Sequence, residues 1–267
     1  MNGAATGLID SHCHLDHFTD DEIPDLLDRA RAAGVEGMVT IGTRLSRAQQ
    51  QKDLTRFDRP DVRVWCTVGT HPDHVEECDV TDADGIIALA DDPRVVGIGE
   101  SGLDYFHGAE AVRPLQQARF RAHIAAARRM DLPLVIHARE ADDVVAAILP
   151  EEVEAHGRFR FLLHCFSSGP DLARVALELG GYISFSGILT FPRSDALRAI
   201  ARDIPKDRLL VETDSPYLAP VPRRGKRNEP ALVAHTALRL AEEHGLAPEQ
   251  LADVTTENFH RLFSRAA

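Results

Sequence analysis

Leu8-Ile-Asp-Ser-His-Cys-His14 is a short apolar run that ends in two imidazoles. The same arrangement recurs along the chain. Val95-Val-Gly-Ile-Gly ends in Glu100, Pro133-Leu-Val-Ile in His137, Phe161-Leu-Leu in His164, and Leu209-Leu-Val-Glu-Thr in Asp214. Each run is a few residues long, rich in branched apolar side chains and bounded by Gly or Pro, so each reads as a buried strand. Imidazoles and carboxylates at the carboxyl ends of separate parallel strands are how a (β/α)8 barrel builds a metal centre.

Working outward from these runs, eight strands are expected near 8–12, 35–42, 62–70, 95–100, 133–138, 160–166, 182–187 and 209–214. Helical stretches alternate with them. Asp20 to Ala33 carries Ile23, Leu26, Leu27 and Ala30 on one face and stops at Gly34. Further helices are expected near 81–90, 111–130, 140–149, 171–179, 194–201, 231–244 and 248–264. Repeated right-handed βα units of this kind close into a TIM barrel, here of the metal-dependent amidohydrolase type. An open doubly wound sheet fits less well. It gathers ligands at one switch point, and these candidates sit on strands one, four, five, six and eight. One barrel takes about 250 residues, so the 267 residues are expected to form a single domain, 1–267.

The 44% hydrophobic and 27% charged residues suit a soluble globular protein. No run reaches the roughly 18 apolar residues of a spanning helix, so no membrane association is expected. Met1 to Gly7 lacks the cationic start and apolar core of a secretory signal. A cytoplasmic location follows as the expectation, and no obligate protein partner is indicated. The net charge of -12 argues against a broad grip on duplex phosphates. A local basic loop at Arg223, Arg224, Lys226 and Arg227 leaves a nucleic acid substrate open. One Trp and three Tyr argue against an extended base-stacking platform. Cys13, Cys66, Cys78 and Cys165 form no C-x-x-C pair and are expected as buried, reduced thiols. If His12 and His14 face the site, Cys13 faces away, because side chains alternate along an extended segment.

Six residues form the expected metal-ligand set: His12, His14, Glu100, His137, His164 and Asp214. Glu100 offers two oxygens and can bridge two cations. Asp214 can ligate and also accept a proton from attacking water, so it and Glu100 are the expected catalytic residues. Asp10 and Asp104 are each open to two roles, orienting a ligand imidazole or making a local structural hydrogen bond. Glu212 shares Asp214's side of the strand and is expected as a buried partner of the site. His71, Arg139, Arg224 and Lys226 are the expected substrate contacts. The other histidines, among them His107 and His123, are expected at surface or cap positions.

Taken together, these motifs resemble the TatD family of metal-dependent deoxyribonucleases. The resemblance rests on Asp10-Ser-His-Cys-His-Leu15, Gly99-Glu-Ser-Gly-Leu-Asp-Tyr105, Pro133-Leu-Val-Ile-His137 and Leu163-His-Cys-Phe-Ser167. It extends through Tyr182-Ile-Ser-Phe-Ser-Gly187, Leu209 to Ala219, Arg224 to Pro230 and Thr256-Glu-Asn-Phe259, nearly the whole chain. It implies two divalent metal ions, Mg²⁺, Mn²⁺ or Zn²⁺. His12, His14 and Asp214 would hold one, His137 and His164 the other, with Glu100 between them. It also implies 3′-5′ exonuclease cleavage of phosphodiester bonds by a two-metal mechanism, with single-stranded DNA or DNA 3′ ends as substrate. Two alternatives stand beside it. One is hydrolysis of another ester, amide or aminoacyl bond on the same barrel. The other is a metal-stabilised binding protein without turnover.

Overall fold

A computed structural model describes residues 7–77 and 79–266. Eight strands run parallel in the order of the chain: β1 (Leu8–Cys13), β2 (Val35–Thr40), β3 (Arg63–Val68), β4 (Val95–Asp104), β5 (Leu134–Arg139), β6 (Phe161–Leu163), β7 (Tyr182–Phe185) and β8 (Leu209–Val211). Beyond the paired ends of β1 and β8 the ring is joined by backbone bonds: Asp214 N–H donates to His12 O at 2.9 Å and His14 N–H to Ser215 O at 2.8 Å. This is the expected (β/α)8 barrel.

The surrounding helices are α1 (Ile23–Ala32), α2 (Ala48–Asp53), α3 (Ala83–Ala90), α4 (Arg113–Met130), α5 (Asp142–His156), α6 (Pro170–Glu178), α7 (Asp195–Asp203), α8 (Val233–His244) and α9 (Pro248–Leu262). The short α2 has no counterpart among the expected helices. Helix α5 runs past Pro150, where a stop was expected. Glu152, beyond the proline, accepts from Arg121 and faces Arg128, both on α4, and these ion pairs hold the second half of α5 in place.

Strand alternation sorts the interior into two apolar bodies. Val35, Met38, Val64, Cys66, Leu134, Ile136, Phe161, Leu163, Leu209 and Val211 point outward and pack beneath the helices. Ile9, Val39, Trp65, Val96, Val135, Leu162, Tyr182 and Leu210, one from each strand, fill the barrel's lower interior. Phe259, Leu262 and Phe263, at the end of α9, plug that end. One pleat further along, the same inward positions change character: Val135 is followed by His137, Leu162 by His164 and Leu210 by Glu212. The site is thus the polar layer resting on the apolar one.

Candidate metal centre

Glu100 lies within β4, whereas a strand end was expected at this residue. Between Ile98 and Ser101 the pairing with β5 slips by one residue, and such a bulge re-aims the side chains within it. Gly99 takes φ +120°, and a Cβ on Gly69 would fall 2.4 Å from the Gly99 Cα. Only glycines let β3 and β4 approach this closely behind the carboxylate.

Five of the six expected ligand residues, His14, Glu100, His137, His164 and Asp214, line one pocket of about 630 Å³ at the carboxyl ends of the strands, and fully buried His12 lies against them beneath its floor. Glu100 is 2% exposed and stands between two sets of imidazoles. Its Oε2 lies 3.5 Å from His12 Nε2; its Oε1 lies 2.7 Å from His164 Nε2 and 3.0 Å from His137 Nδ1. Asp214 Oδ1 is 3.4 Å from His14 Nε2 and 3.6 Å from His12 Nε2. The two Nε2 atoms of His12 and His14 are 3.2 Å apart, as are His137 Nδ1 and His164 Nε2.

The chemistry of this donor set fits divalent cations. Lone-pair nitrogens facing each other at such distances, with carboxylate oxygens beside them, repel unless positive charge lies among them. Burial disfavours the charged form of His14, but its hydrogen bond and proximity to Asp214 override this and raise its pKa to about 9. His164 is likewise raised well above its ordinary value: burial opposes charge, and Glu100 then Glu212 outweigh it. Glu100 is held well below the ordinary carboxylate range, because His164, His71 and the neighbouring imidazoles outweigh its burial. The buried Nδ1 atoms of His12 and His14 have no hydrogen-bond partner among the described residues.

A surrounding layer orients the set. Asp104, 1% exposed, places Oδ2 3.2 Å from His137 Nε2, leaving Nδ1 of that ring toward Glu100. Its Oδ1 also accepts from the backbone N–H groups of Phe106 and His107, so both roles open in the sequence are filled. Glu212 is fully buried, lies 3.3 Å from His164 Nδ1 and accepts from Cys165 N–H at 2.8 Å. Asp10 takes the structural alternative. It accepts from Thr213 N–H and Oγ1–H and from the backbone of His12, joining β1 to the segment after β8, and burial raises its pKa to about 8. Asp214, Leu218, Glu140 and Cys165 all take positive φ around the pocket mouth, a backbone region uncommon for side-chain-bearing residues and concentrated at functional sites.

His71 faces the pocket, with Nε2 3.6 Å from Glu100 Oε1. Its Nδ1 accepts from Asp73 N–H at 3.1 Å. Burial first, then the neighbouring imidazoles, lower its pKa to about 3, so the ring is neutral and its single proton sits on Nε2. It can therefore donate a hydrogen bond into the pocket, which separates it from the lone-pair donors around Glu100. Arg139 lines the pocket wall. Arg224 lies over the Phe191 ring, 3.9 Å from its centroid, outside the pocket lining. Lys226 is exposed and also outside that lining.

Several side chains depart from expectation, and His17 and His74, expected at surface or cap positions, line the pocket. His123 is fully buried; its Nε2 accepts from Thr70 N–H at 3.1 Å and its Nδ1 faces Arg119 O at 2.8 Å. It ties α4 to the residue before His71, and only the tertiary packing reveals this. His107 faces Asp104 Oδ2 at 3.0 Å and lines the pocket. Cys165 also lines the pocket, half-buried, with Sγ 3.2 Å from Ser186 Oγ. Cys13 is buried in the outer apolar body, facing away from the site, and Cys66 is buried there too. Cys78 lies outside the described residues.

The model of the TatD-related DNase family matches residues 9–264. The chain belongs to this family. It is 43% identical over 262 residues to the metal-dependent hydrolase YcfH of Escherichia coli K12, covering 96% of this chain and 95% of the relative. It is 34% identical over 244 residues to the 3′-5′ ssDNA/RNA exonuclease TatD of Salmonella typhimurium, covering 90% and 92%. Among solved structures it resembles YjjV, a TatD homologue of Escherichia coli, with a TM-score of 0.88, 27% identity and coverage of 98% and 99%. This TatD-family chain is thereby a metal-dependent hydrolase by class. No helix of the described residues is long and apolar enough to cross a membrane.

Proposed function

We propose that this TatD-family protein is a 3′-5′ exonuclease that hydrolyses phosphodiester bonds at the ends of single-stranded DNA, using two divalent cations. One observation carries the reading. Glu100 turns each of its oxygens to a different imidazole set, His12 on one side and His137 with His164 on the other. A carboxylate so placed can be shared by two ions, one held by His12, His14 and Asp214 and one by His137 and His164. Bound there, such ions supply Lewis acidity towards the phosphoryl oxygens and acidify water. The 34% identity to a named 3′-5′ ssDNA/RNA exonuclease supports the choice of substrate.

The protein's own groups fit this reaction. Asp214 is the proton acceptor: its pKa is lowered, burial being outweighed by the hydrogen bond to His14 and the charges of His12 and His14. It is therefore ionised at neutral pH and can orient a water and take its proton. His71 donates from Nε2 to a non-bridging substrate oxygen. Asp104 and Glu212 hold His137 and His164 in fixed ring orientations. Arg139, Arg224 and Lys226 meet substrate outside the ion cluster, Arg139 at the pocket wall.

The test is a substrate panel with Mg²⁺, Mn²⁺ or Zn²⁺ added. It comprises single-stranded DNA labelled at either end, blunt duplex, RNA, and acyl and aminoacyl esters. Stepwise shortening from the 3′ end of single-stranded DNA, abolished by chelation while the circular dichroism spectrum persists, is expected. Turnover of the acyl or aminoacyl esters alone would overturn the nuclease reading.

A further inference from the structure

A second cavity of about 750 Å³ opens beside the ion pocket. The two share Ala138, Arg139, Ser167, Ile188 and Leu218 as a common wall. Its volume lies in the range of small-molecule sites. The exposed large apolar side chains of the described residues are Phe106 (59%), Tyr217 (50%), Val221 (40%) and Leu238 (45%). The first three follow β4 or β8 at the mouth of the barrel.

Arginines lie on two aromatic rings here. Arg139 sits over Phe106, 4.4 Å from the ring centroid, and Arg224 sits over Phe191 at 3.9 Å. Arg139 and Phe191 both line the second cavity. Acidic side chains outnumber basic ones in this chain, 42 to 30, and many of its arginines are ion-paired, Arg227 with Glu22 and Arg29 with Glu229 among them. Neither Arg139 nor Arg224 has an ion-pair partner among the described residues. A guanidinium placed over a ring and free of a carboxylate can itself take part in stacking, and of these four side chains Arg139 and Phe191 face the second cavity while Phe106 and Arg224 back them from outside its lining. The cavity also carries Asp142 and Asp143, which disfavour a backbone phosphate and can accept hydrogen bonds from a base or sugar.

We propose that this second cavity is a nucleoside subsite, in which the unpaired base next to the reacting phosphate stacks on the Phe191–Arg224 and Phe106–Arg139 pairs. The inference rests on the nuclease reading and deepens it: the phosphate belongs over the ion cluster and the neighbouring base in the adjoining cavity. A base inside a duplex has both faces covered by its neighbours, so the subsite selects single strands and frayed ends. Two Arg–Phe pairs at this mouth reconcile a chain poor in Trp and Tyr with recognition of a single base.

The experiment compares tetrathymidylate with tetramers carrying an abasic residue on either side of the 3′-terminal linkage. The proteins are wild type, Phe191→Leu, Phe106→Leu and Phe191→Trp. Both kcat/KM and equilibrium binding by fluorescence anisotropy are measured. Removing either the ring or the base at the subsite is expected to weaken binding roughly 10-fold, with the loss in KM. The two losses should not add: Phe191→Leu should lose nothing further on the abasic tetramer, and Phe191→Trp should keep wild-type binding. Equal losses for Phe191→Leu on both substrates, or none on either, would overturn the subsite. Failure of the nuclease reading would show separately, as tetramers bound but not shortened. If binding then ignores the base as well, the subsite falls with it.

Discussion

The two ends of this barrel are built from the same strands and differ in one pleat. At the lower end, Trp65, Val96, Val135, Leu162 and Leu210 meet the plug of Phe259, Leu262 and Phe263, and hydrocarbon closes the interior. At the upper end, His137, His164 and Glu212 occupy the next inward positions, and imidazoles and carboxylates are pressed to within 2.7–3.6 Å of one another. The lower end gains stability by removing apolar surface from water. The upper end concentrates lone pairs that need a cation, which costs stability in the bare chain. The rigid lower layer is what allows the upper one to hold such a geometry.

The sharpest way to test that division is Asp214→Asn. If the upper end is chemistry rather than support, kcat should fall roughly 10³-fold. Metal content by elemental analysis and the unfolding midpoint should stay close to wild type. Full activity in this variant would remove Asp214 from its proposed role.

Phe263→Ala is the mirror experiment. Phe263 is fully buried and stacks on Phe259 at 4.7 Å. Truncation should cost about 3–5 kcal/mol in chemical denaturation. At temperatures where the variant remains folded, kcat should change little. A comparable fall in kcat would show that the plug and the site are coupled.

The smallest effect concerns His123, which joins the helical shell to the upper end. Burial, only partly offset by its contact with Arg119 O, lowers its pKa to about 4. Between pH 6.5 and 4 the unfolded chain therefore binds more protons at this site than the folded one. Its contribution to stability is complete above pH 6.5 and is lost as the pH falls through 4. The depression corresponds to about 3 kcal/mol across that window. His123→Gln should flatten this part of the stability–pH curve, measured by denaturant titration at successive pH values. An unchanged slope would reject the assignment.

Much of this architecture is legible in the one-dimensional chain. The runs ending in His14, Glu100, His137, His164 and Asp214 announce parallel strands with polar carboxyl ends, and the strand order follows from their repetition. Other features are legible only in part. The Gly97-Ile-Gly-Glu100 stretch signals close backbone approach, but the bulge that turns Glu100 inward depends on pairing with β5. Pro150 reads as a helix stop, and ion pairs from another helix carry α5 beyond it. His123 and His107 look alike in sequence, as histidines with no strand end nearby. One is sealed inside the protein and the other lines the pocket.

Sequence by itself determined the barrel, its family and the identity of the six converging side chains, because alternation and repeated strand ends are local patterns written in residue order. Tertiary structure alone decided which oxygen of Glu100 faces which imidazole, that Asp10 serves barrel closure, that His71 carries its proton toward the pocket, and that two arginines lie over phenylalanines at the mouth. These depend on distances between segments far apart in the chain. Such distances are set by packing and by competition for hydrogen bonds, which no local pattern encodes.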